Sequence, residues 1–213
     1  GRLQGSIDRA RSSCITWYGA HAREGDQRND RRLYGLYPTK RRLNRHKRLF
    51  CIIGRTMAKT NSIGLSAAKA TQLASDLNDL LANYTVFYQN VRGFHWNIRG
   101  EKFFELHAKF EELYNDLQLK IDEIAERVLT LGGTPYHTFP AFLEASAVKP
   151  AQNVKDGKRC VQRILSAFNT VLLQQREILE LSDKVGDEGT NALMSDYIRE
   201  QEKLVWMYSA FLG

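Results

Sequence analysis

The chain has 213 residues, 43% of them hydrophobic, which is enough for one core and too little for two. Its net charge of +7 is unevenly spread, because residues 1–56 hold 14 Lys/Arg against 4 Asp/Glu and leave the remainder mildly acidic. No stretch approaches the roughly 20 apolar residues of a membrane span, and the opening residues lack the charged-then-apolar order of a signal peptide. Past residue 56 only Cys160 remains of the three cysteines, so no disulfide can form within that part, and a reducing, cytoplasmic setting is expected.

Residues 1–56 show neither a helical period nor strand alternation. Arginines are scattered through them, as in "NDRRLYGLYPTKRRLNRHKR", alongside Cys14, Trp17 and Cys51. One reading is a basic arm for nucleic acid. Such arms are usually low in complexity, and this segment is not. The other reading takes Met57 as the natural start and residues 1–56 as a disordered or non-native extension, with 57–213 as the folded domain.

After Met57 the pattern becomes helical. From Ser66, the apolar residues Leu73, Leu77, Leu80, Leu81, Tyr84, Phe87, Tyr88 and Val91 recur at three- and four-residue steps. Gly93 and then "NIRG" are expected to end this helix, with Gly100 suited to a turn. A second helix is predicted from about Lys102 to Leu131, stopped by "GGTP". The connection from Tyr136 to about Asn153 is long, and "AFLEASAV" between Pro140 and Pro150 could form a short helix within it. A third helix begins near Val154, "DKVGDEGT" separates it from the last, and Leu193, Met194, Tyr197, Ile198, Leu204, Val205, Tyr208 and Phe211 form the apolar face of the fourth. Four long helices with a long crossover between the second and third make an all-α, ferritin-like four-helix bundle with a short extra helix in that crossover.

The second helix carries the chemistry. His107, Glu111, Asp122 and Glu126 fall at about 0°, 40°, 60° and 100° around it, a single stripe. Such a stripe can be an ordinary hydrated surface. It weighs more because His95, on the preceding helix, adds a fifth candidate ligand. His107 and Asp122 stand about 22 Å apart along the axis at 1.5 Å per residue, so one chain cannot bring both to one metal ion. If the stripe packs antiparallel on its own copy, His107 and Glu111 of one chain meet Asp122 and Glu126 of the other, and a two-fold axis generates two identical sites. Mixed histidine and carboxylate ligands suit redox-active iron better than structural zinc. No Glu-x-x-His pair, the element of di-iron centres inside single bundles, occurs anywhere in the chain.

"HWNIRGEKFFELHAKFE" (95–111) and "IDEIAERVLTLGGTP" (121–135), with "NALMSDYIREQEKLVWMYSAFLG" at the C-terminus, resemble the motifs of the Dps family (DNA-binding proteins from starved cells, or mini-ferritins) over essentially all of 57–213. The resemblance implies a hollow shell of twelve four-helix subunits with ferroxidase sites at two-fold interfaces. His95, His107 and Glu111 come from one subunit, and Asp122 and Glu126 from its partner. Many members have Asp at the Glu111 position, and the family pattern admits either. Trp96 matches a tryptophan close to the iron, able to absorb oxidising equivalents or simply to pack at the interface. Asp183, Asp187 and Glu188 resemble acidic residues lining iron-entry pores, although Asp187 or Glu188 would equally suit the start of the last helix. The implied reaction is oxidation of ferrous iron, with hydrogen peroxide preferred over dioxygen, followed by storage of ferric mineral. Some members bind DNA through Lys-rich N-terminal tails. Counted from Met57, the tail here offers only Lys59 and Lys69, so binding by the 57–213 core should be weak, while residues 1–56, if present, would strengthen it. A nucleoid-compacting structural protein is the rival reading. His21, His46 and His137 have no ligand-like neighbours at useful spacing.

Overall fold

The computed structural model describes residues 59–213, and the expectations for residues 1–56 lie outside that range. The described residues form helices α1 (Ala67–Asn97), α2 (Phe103–Thr130), α3 (Phe139–Ala145), α4 (Gly157–Val185) and α5 (Glu188–Leu212), with no strand among them. The all-α bundle with its extra crossover helix is as expected, and the differences lie at the ends of elements. Helix α1 ends at Asn97, the first residue of the expected "NIRG" stop, and Gly100 turns the chain at φ 115°, but Gly93 itself does not interrupt the helix. A lone glycine inside a helix costs about 1 kcal/mol relative to alanine, and the packing of Val91, Phe94 and Ile98 into the core outweighs it. Helix α3 starts at Phe139 with Pro140 in its first turn, where the missing proline N–H has no helical partner to lose. Helix α4 starts three residues later than the pattern suggested, where the Asp156 side chain caps the Arg159 N–H at 2.9 Å. "DKVGDEGT" is mostly helical: Asp183 to Val185 finish α4, and the connection is only Gly186, left-handed at φ 73°, and Asp187.

Helix α1 packs against α2, α3 and α4, and α4 against α5. The core is built largely from the predicted periodic residues, with Leu73, Leu77, Leu80, Tyr84, Phe87 and Met194 at its centre, joined there by Phe110 and Phe168. Three asparagines on α1 bind the crossover along its length. Asn78 bonds Thr134 O and Tyr136 N (3.0 and 2.8 Å), Asn83 accepts from Ala147 N and Val148 N (2.7 and 3.0 Å), and Asn90 bonds Lys149 O and Ala151 N (3.0 and 2.7 Å). A side-chain amide carries both a donor and an acceptor, so each can satisfy irregular backbone that has no helical partner.

The polar groups inside the bundle are neutral where α1, α4 and α5 meet. Gln175 Nε2 donates to Tyr84 Oη at 2.6 Å, and Gln201 Nε2 donates to the same oxygen. No three His, Cys, Asp or Glu side chains among the described residues gather into a metal-binding group.

Candidate metal centre

His95 lies in the last turn of α1 and His107 in the second turn of α2, and the turn at 98–102 folds them onto each other. Their rings stack with centroids 3.8 Å apart and planes within 19°. Each bonds the other's backbone: His95 Nδ1 to His107 O, and His107 Nδ1 to His95 O, both at 2.9 Å. A carbonyl oxygen can only accept, so both Nδ1 atoms carry the proton, and in the neutral rings both Nε2 atoms present a lone pair. This is how a metal-ligating histidine is oriented, with its second nitrogen tied down. The exchange also satisfies the His95 carbonyl, one of the orphan acceptors at the end of α1.

Around the pair stand residues that the sequence pattern did not single out. Phe103 stacks on His107 at 5.1 Å, and Tyr114 meets His95 edge-on at 5.3 Å. Burial and the neighbouring Glu111 carboxylate raise the Tyr114 phenol above its ordinary pKa. Spacing could have found both, since Phe103 and Tyr114 lie four residues before and seven after His107, on the face that returns to α1. Arg92 lies over the rings of Tyr88 (5.2 Å) and Trp96 (4.8 Å), and Trp96 is largely exposed.

Glu111, Asp122 and Glu126 are all exposed. Within one chain only Glu111 shares the histidine end of α2, while Asp122 and Glu126 stand three to four turns further along. The stripe that holds them also exposes Phe104 (82%), Leu119 and Leu129. Bulky apolar side chains are costly to leave in water, and a row of them set among carboxylates suits a surface that another chain covers.

Residues 74–213 match a family model described as a ferritin-like domain. The crystal structure of the Dps protein from Vibrio cholerae O1, described as a member of a broad superfamily of ferritin-like diiron-carboxylate proteins, is 58% identical. It aligns with a TM-score of 0.72 over 75% of this chain and 100% of that one. The DNA protection during starvation protein of Porphyromonas gingivalis is 40% identical over 148 residues, 70% of this chain and 93% of its own. The chain belongs to the Dps family. A further Dps structure, from Listeria innocua, is 32% identical with a TM-score of 0.64 over 66% of this chain and 94% of that one. It is a variant with two histidines replaced by glycine, twelve positions apart, the same interval that separates His95 from His107.

The three acidic residues compared with Dps pore linings are not equivalent in the fold. Asp187 is the N-cap of α5 and is 4% exposed. It accepts from Thr190 Oγ1 at 2.6 Å and from Thr190 N at 3.3 Å, and forms an ion pair with the Arg127 guanidinium. Burial pushes its carboxyl up, but the Thr190 and Arg127 donors outweigh that and hold it below the ordinary carboxylate value. Gly189 leaves the space Arg127 needs, since a Cβ there would lie 2.8 Å from its Nη1. Asp187 thus has a structural task, whereas Asp183 and Glu188 remain exposed and pair with no cation among the described residues.

Proposed function

We propose that this Dps-family chain oxidises ferrous iron at sites shared between two copies and stores the ferric product inside a shell of twelve. His95, His107 and Glu111 of one copy and Asp122 and Glu126 of the other would bind iron as substrate. The observation that carries this reading is the reciprocal hydrogen bonding of His95 and His107, which leaves two Nε2 lone pairs fixed side by side with only half a ligand set around them. Symmetry supplies the rest. An antiparallel two-fold that sets His107 opposite Glu126 also sets Glu111 opposite Asp122, and brings exposed Phe104 against exposed Leu129.

Hydrogen peroxide is the preferred oxidant in this reading, ahead of dioxygen. Two ferrous ions held together give one electron each to a single peroxide, which with two protons becomes two waters, so no hydroxyl radical is released. The carboxylates stabilise the higher charge of ferric iron. Trp96, beside His95, is placed to take a stray oxidising equivalent. Removal of iron and peroxide together would protect DNA without any need to touch it.

Mixed assemblies test the shared site. His107→Ala subunits and Asp122→Asn subunits are each expected to be inactive, because each lacks one half of every site. Randomly mixed and reassembled one to one, they should regain about a quarter of the sites, those joining an intact histidine half to an intact carboxylate half. Peroxide-driven oxidation of ferrous iron, read by absorbance after anaerobic loading, measures that recovery. No recovery in assemblies of verified mixed composition would refute a site built from two copies.

A further inference from the structure

Helices α2 and α5 are fastened to each other along only part of their length. Arg127 bonds Thr190 and Asp187, Tyr197 Oη donates to Glu123, and Lys120 Nζ donates to Glu200 at 2.9 Å. Residue numbers fall along α2 as they rise along α5, so the two helices run antiparallel. From Lys120 back towards the start of α2, no further side-chain hydrogen bond or ion pair joins them among the described residues. There they part around a cleft of about 390 Å³, within the roughly 300–1,000 Å³ usual for a small-molecule site.

The walls of the cleft are apolar and its rim is acidic. Leu106 and Leu113 on α2 face Leu204, Met207, Tyr208 and Phe211 on α5. Met207 is exposed and Leu204 and Phe211 are half-buried, so this wall is open to a ligand from solvent. Around it stand Glu105, Glu112, Asp116 and Glu200, four carboxylates against Lys109 and Lys120. Lys109 is matched by Glu112 at 2.6 Å. Lys120 serves Asp116 and Glu200 together through one oxygen of each, at 2.6 and 2.9 Å. Asp116 Oδ2 and Glu200 Oε1 therefore have no partner among the described residues, and Glu105 pairs with no cation there. Tyr208 adds an independent sign of a missing ligand. It is only 9% exposed, lines the cleft, and makes no hydrogen bond through its hydroxyl among the described residues. A buried polar group without a partner is costly to the free protein. Burial and then the Glu112 charge hold its phenol above the ordinary pKa, so it stays a neutral hydroxyl.

We propose that this cleft binds an amphiphilic cation, with an apolar chain lying between α2 and α5 and an ammonium group donating to Asp116 and Glu200. A fatty acid has the same apolar body and the wrong charge, and a polyamine has the charge without the body. The site lies within one subunit, so it rests on neither the shared iron centre nor the assembly.

The test titrates n-octylammonium, n-butylammonium, n-octanoate and spermidine into the metal-free full-length protein by isothermal calorimetry. Octylammonium should saturate at one per subunit. Butylammonium should bind on the order of a hundredfold more weakly, at about fourfold per buried methylene. Octanoate and spermidine should show no saturable binding. Met207→Trp fills the cleft and should abolish octylammonium binding, while Glu200→Gln removes one charge-assisted contact and should weaken it at least about tenfold. Circular dichroism and assembled mass verify each variant, and the four-compound series on the unsubstituted protein decides the matter where a variant fails to fold. The proposal is overturned if octanoate binds as well as octylammonium, if spermidine does, or if a folded Met207→Trp protein binds unchanged. It is equally overturned if only dissociated subunits bind, which would make the cleft a contact between copies.

Discussion

Replacing Asp187 by asparagine separates two roles that one carboxylate performs. Asparagine still offers an oxygen to the Thr190 N–H and is as good an N-cap as aspartate, so the cap survives. What disappears is the charge facing Arg127, whose side chain is only 17% exposed against 4% for Asp187. Removing one partner of a buried ion pair costs about 3–5 kcal/mol, and the partial exposure of Arg127 places the expectation at the lower end, about 3 kcal/mol. In a domain of this size 1 kcal/mol moves the melting temperature by about 2–4 °C, so the variant should melt roughly 6–12 °C lower. Circular dichroism at matched protein concentration measures this, concentration being held because assembly contributes to apparent stability. Arg127→Met added to Asp187→Asn should restore most of the loss, since the stranded cation is then gone. Acid gives a second readout. The folded-state pKa of Asp187 is depressed, so its contribution is complete above the ordinary carboxylate value near 4 and fades as pH falls through the lower folded value. The asparagine variant should therefore lose less stability on acidification than the unsubstituted protein. A variant that melts normally but takes up ferrous iron slowly would refute this assignment and make Asp187 a pore residue.

Two further outcomes follow from the same geometry. His107→Ala should lower stability by about 1–2 kcal/mol in chemical unfolding, even in metal-free buffer, because it leaves the His95 carbonyl at the end of α1 without its partner. Cys160 is fully buried, and burial reinforced by Asp156 pushes its thiol up to about 12. It should therefore resist iodoacetamide at pH 8 until denaturant is added, as peptide mass mapping would show.

Much of the architecture was legible because burial imposes periodicity. The apolar rhythm marked the long helices, and the absence of any Glu-x-x-His pair pointed away from the bundle interior to its surface. Helix ends were less legible, since they depend on contacts that no local window contains. Gly93 reads as a stop, yet the packing of Phe94 and Ile98 carries α1 past it. The Asn78, Asn83 and Asn90 straps were invisible for the same reason: their partners lie 56 to 65 residues away. Asp187 could be placed at a helix start from local sequence alone, but its Arg127 partner, 60 residues earlier, could not.

The two halves of the candidate iron site are built to different standards, and the difference bears on where chemistry can start. Stacking, reciprocal bonds and the flanking Phe103 and Tyr114 rings fix the histidine half within one subunit. The carboxylate half, Asp122 and Glu126, has neither burial nor, among the described residues, an ion pair to hold it. In the shared-site reading a lone subunit then offers two nitrogen ligands and one exposed glutamate, too few to hold two ferrous ions. Iron affinity would rise only when a second copy brings its carboxylates and covers Trp96. Pairing of electrons would then be tied to pairing of chains: a subunit that cannot complete the site would bind ferrous iron poorly, which limits the single-ion chemistry that splits peroxide one electron at a time. In that reading His95 and His107 would supply geometry and the opposing stripe charge, and neither would suffice alone.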